Sequence, residues 1–204
     1  MLDKLVKINK YADYLRLLWW RIFIPNRLKQ MGVEVDPTVV FYGRPIVSLA
    51  PESRISIGPR CSLCSVSEFT ALGVNHPVIL RTLRPGAVIR IGNDSGISGA
   101  TICAALSVEI GTNVLLGANV VIVDTDFHAI KPHGRRYNNN PQEIRTASVY
   151  IGDNVFIGSG AFVLKGSHVG DNSVIGAGSV VTGDIPPNVI AAGNPAKIIK
   201  KIET

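Results

Sequence analysis

The stretch from residue 149 to residue 185 repeats with a period of six, and few chain geometries accommodate that period. Ile151, Ile157, Val163, Val169, Ile175 and Val181 stand six apart, and all are β-branched. Gly152, Gly158, Gly170 and Gly176 directly follow four of them, while Val155, Ala161, Ser167, Ser173, Ser179 and Ile185 fill the fourth place after each. An α-helix buries residues at spacings of three and four, and a half-buried strand alternates, so a strict hexad matches neither. One side of a triangular coil does fit, with an aliphatic side chain pointing inward and a Gly, Asn or Asp at a tight corner. Three such sides make a turn of about 18 residues, so this stretch supplies roughly two stacked turns.

The same register recurs upstream. It is recognisable but degraded from Val35 to about Leu63, where Ile55, Ile57, Gly58 and Cys61 mark one hexad. A first turn that meets a cap instead of another turn is expected to degrade in this way. Residues 64–82 break the period as a short excursion that carries His76-Pro77. The register returns at Ile91-Gly92 and Ile97, and again at Ile110-Gly111, Leu116-Gly117 and Ile122. It then stops over VDTDFHAIKPHGRRYNNNPQEIRTAS and resumes at Val149. Such an interruption predicts an ejected loop at about 124–148, and long loops in compact folds are usually functional.

Ahead of the coil, residues 11–30 read as a helix that Pro25 interrupts or ends. Leu15, Leu18, Trp19, Ile22 and Phe23 fall at helical spacing, with Arg16, Arg21, Arg27 and Lys29 nearby. The favoured role is to cover the open end of the coil or to pack on a sister subunit, because solenoid ends need caps. The alternative is a weak membrane-surface contact, with Trp at the headgroup boundary.

Composition narrows the classes. Twenty Gly, 18% charged and 46% hydrophobic residues suit a solenoid with many corners and argue against disorder. No run of 18 apolar residues is present, and MLDKLVKINK lacks the apolar core and cleavage site of a signal peptide. Three cysteines fit a reducing cytoplasm. Cys61 and Cys64 form a lone C-x-x-C, read as packing, because Cys61 falls where the hexad buries a small residue and no second pair completes a zinc tetrad. The charge of +6 comes with no nucleic-acid motif, and no nucleic-acid partner is expected.

Taken together, the hexads, the loop opening Asp126-Phe127-His128, the segment IGDNVFIGSGAFVLKG and the closing IPPNVIAAGNPAKIIKK resemble the hexapeptide-repeat acyltransferases. The resemblance covers roughly residues 35–200. It implies an all-β fold, a left-handed parallel β-helix with an N-terminal helix, whose crossover hand is an exception to the usual rule. The division it implies is a helical cap over 1–34 and an acyltransferase domain over 35–204, including the loop 124–148 and a C-terminal tail over 186–204. Within the family, the chain looks most like the sugar and polysaccharide O-acetyltransferases. That likeness implies acetyl-CoA as co-substrate, no metal, a sugar or polysaccharide acceptor and a role in polysaccharide biosynthesis. It also implies a homotrimer with active sites in grooves between subunits, cytoplasmic or peripheral at the inner face of the membrane.

Acyl transfer to an alcohol sets the residue types to look for. A sugar hydroxyl is scarcely ionised near neutral pH, so a base poised there must take its proton as it attacks the thioester. Histidine, with an ordinary pKa of about 6.5, suits that task. The family resemblance places the base at His128, six residues after Ile122 at the root of the loop. Asp124, Asp126 and Glu143 are all candidates to orient its ring, and Asp126 is carried forward as the catalytic partner. Ser98 falls where related sugar acetyltransferases carry an Asn beside the His, and His76 is a candidate to touch the acceptor. The resemblance lays coenzyme A along Ser159, Ala177, Thr182 and Gly183, with Lys197 and Lys200 near its 3′-phosphate. The Ser at 98 leaves the identity of the acceptor open, and Phe156, Ala129 and Gly183, which depart from the usual Trp, Pro and Lys, argue against any particular subfamily.

Three alternatives compete. An N-acetyltransferase acting on an amino-sugar nucleotide is chemically close. A γ-class carbonic anhydrase shares the fold, and His128 and His133 stand five apart, but no third His lies on a nearby repeat. A non-catalytic binding module would not bind coenzyme A.

Overall fold

Aliphatic residues six apart fold back on themselves as the sides of a prism. In the computed structural model, which describes the backbone of residues 2–138 and 140–203 and side chains from Asp13 onward, short parallel strands stack in three sheets. Met1, Asn139 and Thr204, at the edges of the expected cap and tail and inside the expected loop, lie outside the described residues. Sheet A holds Glu34–Val35, Arg54–Ile57, Val88–Ile91, Ser107–Ile110, Val149–Ile151 and His168–Val169. Sheet B holds Val40–Tyr42, Ser62–Cys64, Gly96–Ser98, Leu115–Leu116, Phe156–Ile157, Val174–Ile175 and Val189–Gly193, closed by antiparallel Ala196–Lys201. Sheet C holds Ile46–Ser48, Ile79–Thr82, Thr101–Ala104, Val121–Val123, Phe162–Val163 and Val180–Val181. The chain visits A, B and C in turn, so each circuit is one rung of a left-handed parallel β-helix. Ile151 lies opposite Val169, Ile157 opposite Ile175 and Val163 opposite Val181, an offset of 18 residues (169 − 151) that matches the expected turn.

The core follows from the hexad. All six aliphatics of residues 151–181 are fully buried, and so are the small residues four places on. The buried serines among them are hydrogen-bonded, as burial demands. Ser173 Oγ donates to the Pro186 carbonyl at 2.8 Å, Ser167 Oγ to that of Val181 at 3.2 Å, and Ser179 Oγ accepts the Gly193 N–H at 3.1 Å.

The corners differ in detail from the sequence expectation. The left-handed residues are Asn154, Gly160, Gly166, Asn172 and Gly178, six apart, with φ between 56 and 75°. Asn tolerates this conformation better than most side chains. At the A-to-B corner its amides also form a ladder, Asn154 Nδ2 to Asn172 Oδ1 at 3.1 Å and Asn172 Nδ2 to Asn188 Oδ1 at 2.9 Å. The glycines that follow the aliphatics serve close stacking instead. A Cβ at Gly158 would lie 2.5 Å from the backbone N of Ala177 in the next turn.

Helix α1 spans Leu2–Gln30, longer than the expected 11–30, and runs through Pro25 without ending there. Two things hold it past the proline. Ile24 and Leu28 are buried on either side, and the C-terminus closes only at Gly32, whose φ of 89° lets the Val33 N–H reach the Leu28 carbonyl at 3.0 Å. The face that caps the coil consists of Trp20, Ile24 and Leu28, joined by half-buried Leu17. The residues expected to make the packing stripe, Leu15, Leu18, Trp19, Ile22 and Phe23, point outward and are exposed.

Candidate active site

The ejected loop leaves the coil after Val121–Val123 of sheet C and returns at Val149–Ile151 of sheet A, so it stands on the C-to-A corner. Its two ends zip together. Thr125 pairs with Thr146, the Asp126 N–H donates to the Arg145 carbonyl at 3.1 Å, and the Ala147 N–H donates to that of Asp124 at 3.0 Å. Asp124 anchors this root. Its buried carboxylate accepts the N–H groups of Ala105 at 2.7 Å and Leu106 at 2.6 Å. Burial pushes its carboxyl above the ordinary value, and those N–H donors pull back against the rise.

Immediately above the root, the backbone makes a tight γ-turn. The His128 N–H donates to the Asp126 carbonyl at 2.7 Å around Phe127, whose φ is 61°. A bulky aromatic in the left-handed region is a strained conformation that the surroundings must enforce. The ladder of 124–126 on one side and the buried Ala129 on the other enforce it here. His128 is thereby held out from the loop and exposed, against an open concavity of about 560 Å³ walled by Pro132, Gly134, Arg135, Arg136 and Tyr137.

None of the three candidate carboxylates hydrogen-bonds the His128 ring among the described residues. Asp124 is committed to the backbone, and Glu143 accepts from Asn138 Nδ2 at 2.7 Å. Asp126 Oδ1 takes the Lys165 ammonium at 2.5 Å, while its Oδ2 is buried without a donor among the described residues. Lys165 escaped the sequence reading because it sits inside the regular hexads. A signal was nonetheless present, since Lys165 is two places after Val163 as Asp124 is two places after Ile122, and that shared register stacks it at the loop root.

The remaining candidates divide between two corners. Thr182 and Gly183 follow Val180–Val181 and stack at the C-to-A corner beneath Lys165, on the same side as His128. Ser159 and Ala177 stack at the B-to-C corner, where Ser159 Oγ donates to the Ala118 carbonyl at 2.7 Å. Ser98 ends its sheet B strand at that same corner. The excursion carrying His76 also leaves there, since it joins Ser62–Cys64 to Ile79–Thr82. His76 is half-buried, its Nδ1 2.8 Å from the Pro77 carbonyl and its Nε2 3.5 Å from Thr101 Oγ1. Lys197 pairs with Ala192 at the C-terminal end of sheet B beside this corner, and Lys200 pairs with Ile190 farther back along the strand. Within one chain the two groups are separated by the width of sheet C.

Cys61, Cys64 and Cys103 are free and buried, and burial pushes the thiols of Cys61 and Cys103 up, away from reactivity. Among the described residues no group of three His, Cys, Asp or Glu side chains gathers as a metal site would require. None of the described helices is long and apolar enough to cross a membrane.

Comparison with known proteins gives a consistent picture. The family model described as bacterial transferase hexapeptide (six repeats) matches residues 148–183. The galactoside O-acetyltransferase of Escherichia coli is 41% identical over 121 residues, 57% of this chain and 56% of that protein. Protein CapG of Staphylococcus aureus is 36% identical over 126 residues, 56% of this chain and 67% of its own length. A solved galactoside acetyltransferase in complex with coenzyme A superposes with a TM-score of 0.51 at 40% identity, covering 64% of this chain and 62% of that one. The chain spans about half the length of the curated relatives it matches.

Proposed function

Because this chain belongs to the hexapeptide-repeat transferases, we propose that it is an acetyl-CoA-dependent O-acetyltransferase acting on a hydroxyl of a sugar or surface polysaccharide. The observation that carries the proposal is the placement of His128, thrust outward by a strained turn at the root of a loop that interrupts an otherwise continuous coil.

In this reading acetyl-CoA supplies the thioester, and the chain supplies a base, an orienting carboxylate and a narrow channel. Neutral His128 takes the proton of the acceptor hydroxyl as its oxygen attacks the thioester carbonyl. The tetrahedral intermediate then expels the thiolate, which recovers that proton from the imidazolium. Such general-base assistance is typically worth about 10² to 10⁴-fold. Asp126 is the orienting group in this reading, because its Oδ2 is buried with no donor among the described residues and can accept one. This reading lays the pantetheine arm along the B-to-C corner of Ser159 and Ala177, whose backbones stack closely on Gly117 and Gly158. Thr182, Gly183, Lys197 and Lys200 complete the contacts in this reading, and Ser98 and His76 face the acceptor.

The outer faces support the homotrimer of this reading. Sheet A presents Glu34, Ser56, Arg90, Glu109 and Tyr150, whereas sheet B presents Val40, Leu115 and Phe156, and sheet C presents Ile46, Arg81, Val121 and Phe162. Two different apolar faces on one prism suit a heterologous contact of B on C, and a homotrimer is the closed ring this reading adopts. In this reading each active site lies in a groove between neighbouring subunits. The unit carrying this activity is taken as residues 35–204, with 1–34 as its cap, in a reducing cytoplasm that suits three free thiols.

The test is a screen of purified protein with acetyl-CoA against sugars, sugar nucleotides and oligosaccharides, following free thiol release. Offering hydroxyl and amino acceptors side by side separates O- from N-transfer. Thiol release with hydroxyl acceptors supports the reading, and release confined to amino acceptors replaces it with N-acetyl transfer. A melting temperature indifferent to acetyl-CoA points instead to a non-catalytic module.

A further inference from the structure

Helix α1 has two apolar faces, and the coil uses one. The inner face packs Trp20, Ile24 and Leu28 into the core. It also clamps the excursion, with Trp20 edge-on to Phe69 at 5.9 Å and the Arg16 guanidinium 4.6 Å above the Trp20 ring. The outer face holds Leu15, Leu18, Trp19, Ile22 and Phe23, and no described part of the chain covers it. Trp19 and Phe23 are 52% and 53% exposed and stack on each other at 4.9 Å, a broad apolar plate turned to the outside.

Charge decides what this plate is built to meet. Of the ionisable residues from 13 to 30, Asp13 is the sole acid, and it lies 3.9 Å from Arg16. Arg21, Arg27 and Lys29 are exposed beside the plate, and no ion pair holds them among the described residues. A second copy offering the same face would set these cations against their own kind, and like charges brought together are repelled. An anionic lipid surface satisfies both features. Apolar side chains enter the acyl boundary, Trp sits at the headgroup level, and flanking Arg and Lys meet the phosphates.

We infer that the outer face of α1 is a docking surface for an anionic membrane, on which the helix lies flat without crossing. This inference does not depend on the transfer reaction, since it uses no residue of the proposed active site.

Flotation of the intact protein with vesicles of pure phosphatidylglycerol and of pure phosphatidylcholine tests it. The protein should float with the anionic vesicles and scarcely with the neutral ones, and high salt should release it. The double variant Trp19→Glu/Phe23→Glu should lose binding by at least about tenfold, because it places charge in the acyl boundary. Its melting temperature and its mass in solution should be unchanged. The inference is overturned if the protein does not bind phosphatidylglycerol or if the double variant binds as well as the parent. A fall in assembled mass of the variant would also overturn it, because the face would then be covered by another copy of this chain.

Discussion

The backbone N–H of His128 and the carbonyl of Asp126 close a γ-turn at 2.7 Å, with Phe127 at φ 61° between them. That turn separates a residue paired with Lys165 at the loop root from one facing the open concavity of the loop. It also makes a single backbone position responsible for the aim of the imidazole.

Phe127 is therefore expected to respond to substitution in function more than in stability. Phe127→Pro, which fixes φ near −65°, cannot form the turn. Misplacing a reacting group by about 1 Å can cost about 10²-fold, so acetyl transfer should fall by that order. The melting temperature should hardly move, because the loop lies outside the stacked rungs. Steady-state kinetics and thermal melts on one preparation check both halves.

Asp126 and Lys165 form the second pair to test. Their side chains are 23% and 29% exposed, between a surface and a buried ion pair. A double-mutant cycle with Asp126→Asn and Lys165→Met should give a coupling of roughly 1 to 2 kcal/mol, above the surface median and below a fully buried pair. If Asp126 also orients the imidazole, Asp126→Asn should lower turnover and shift the pH profile, with the Michaelis constants little changed. A profile that keeps its shape would make the carboxylate purely structural.

Asp124 links the loop root to pH. Burial raises its carboxyl above 3.8, so the folded chain holds this proton more tightly than the unfolded chain. Its contribution thus favours the fold most below that value and declines as pH rises through the raised pKa. Asp124→Asn should remove this decline, which parallel melts just above pH 3.8 would show as a flatter slope. Asp124→Ala leaves the Ala105 and Leu106 N–H groups without their acceptor and should cost about 2 to 6 kcal/mol, at about 1 to 3 for each group left unsatisfied.

The stacking glycines are sensitive for a different reason. A Cβ at Gly158 meets the Ala177 backbone at 2.5 Å, and backbone cannot move aside as a flexible side chain can. Gly158→Ala should destabilise by about 1 to 3 kcal/mol, as overpacking does. A chain of this length then melts about 2 to 4 °C lower per kcal/mol. Calorimetry reads the shift directly.

The coil was legible because each buried aliphatic repeats at a spacing that one geometry alone uses. Ile151 through Val181 all proved to be core, and so did the small residues between them. The corners were legible only as a class of residue. Turning falls to Asn154, Gly160, Gly166, Asn172 and Gly178, while Gly158 and its kin are set by contact with the next turn, which a linear sequence does not display. Helix α1 carries two apolar stripes, and the more evident one faces outward, because the shape of the coil's open end selects Trp20, Ile24 and Leu28. The break in the repeat marked the loop that carries His128. Lys165 was hidden, since its meeting with Asp126 depends on stacking across 39 residues.

The most direct test of the account compares His128→Ala with the parent protein in acetyl transfer to the best hydroxyl acceptor, with acetyl-CoA binding measured in parallel. The account predicts turnover lower by at least about a hundredfold, with the fold and acetyl-CoA binding retained. Turnover close to that of the parent would contradict it, because the loop would then be holding a bystander.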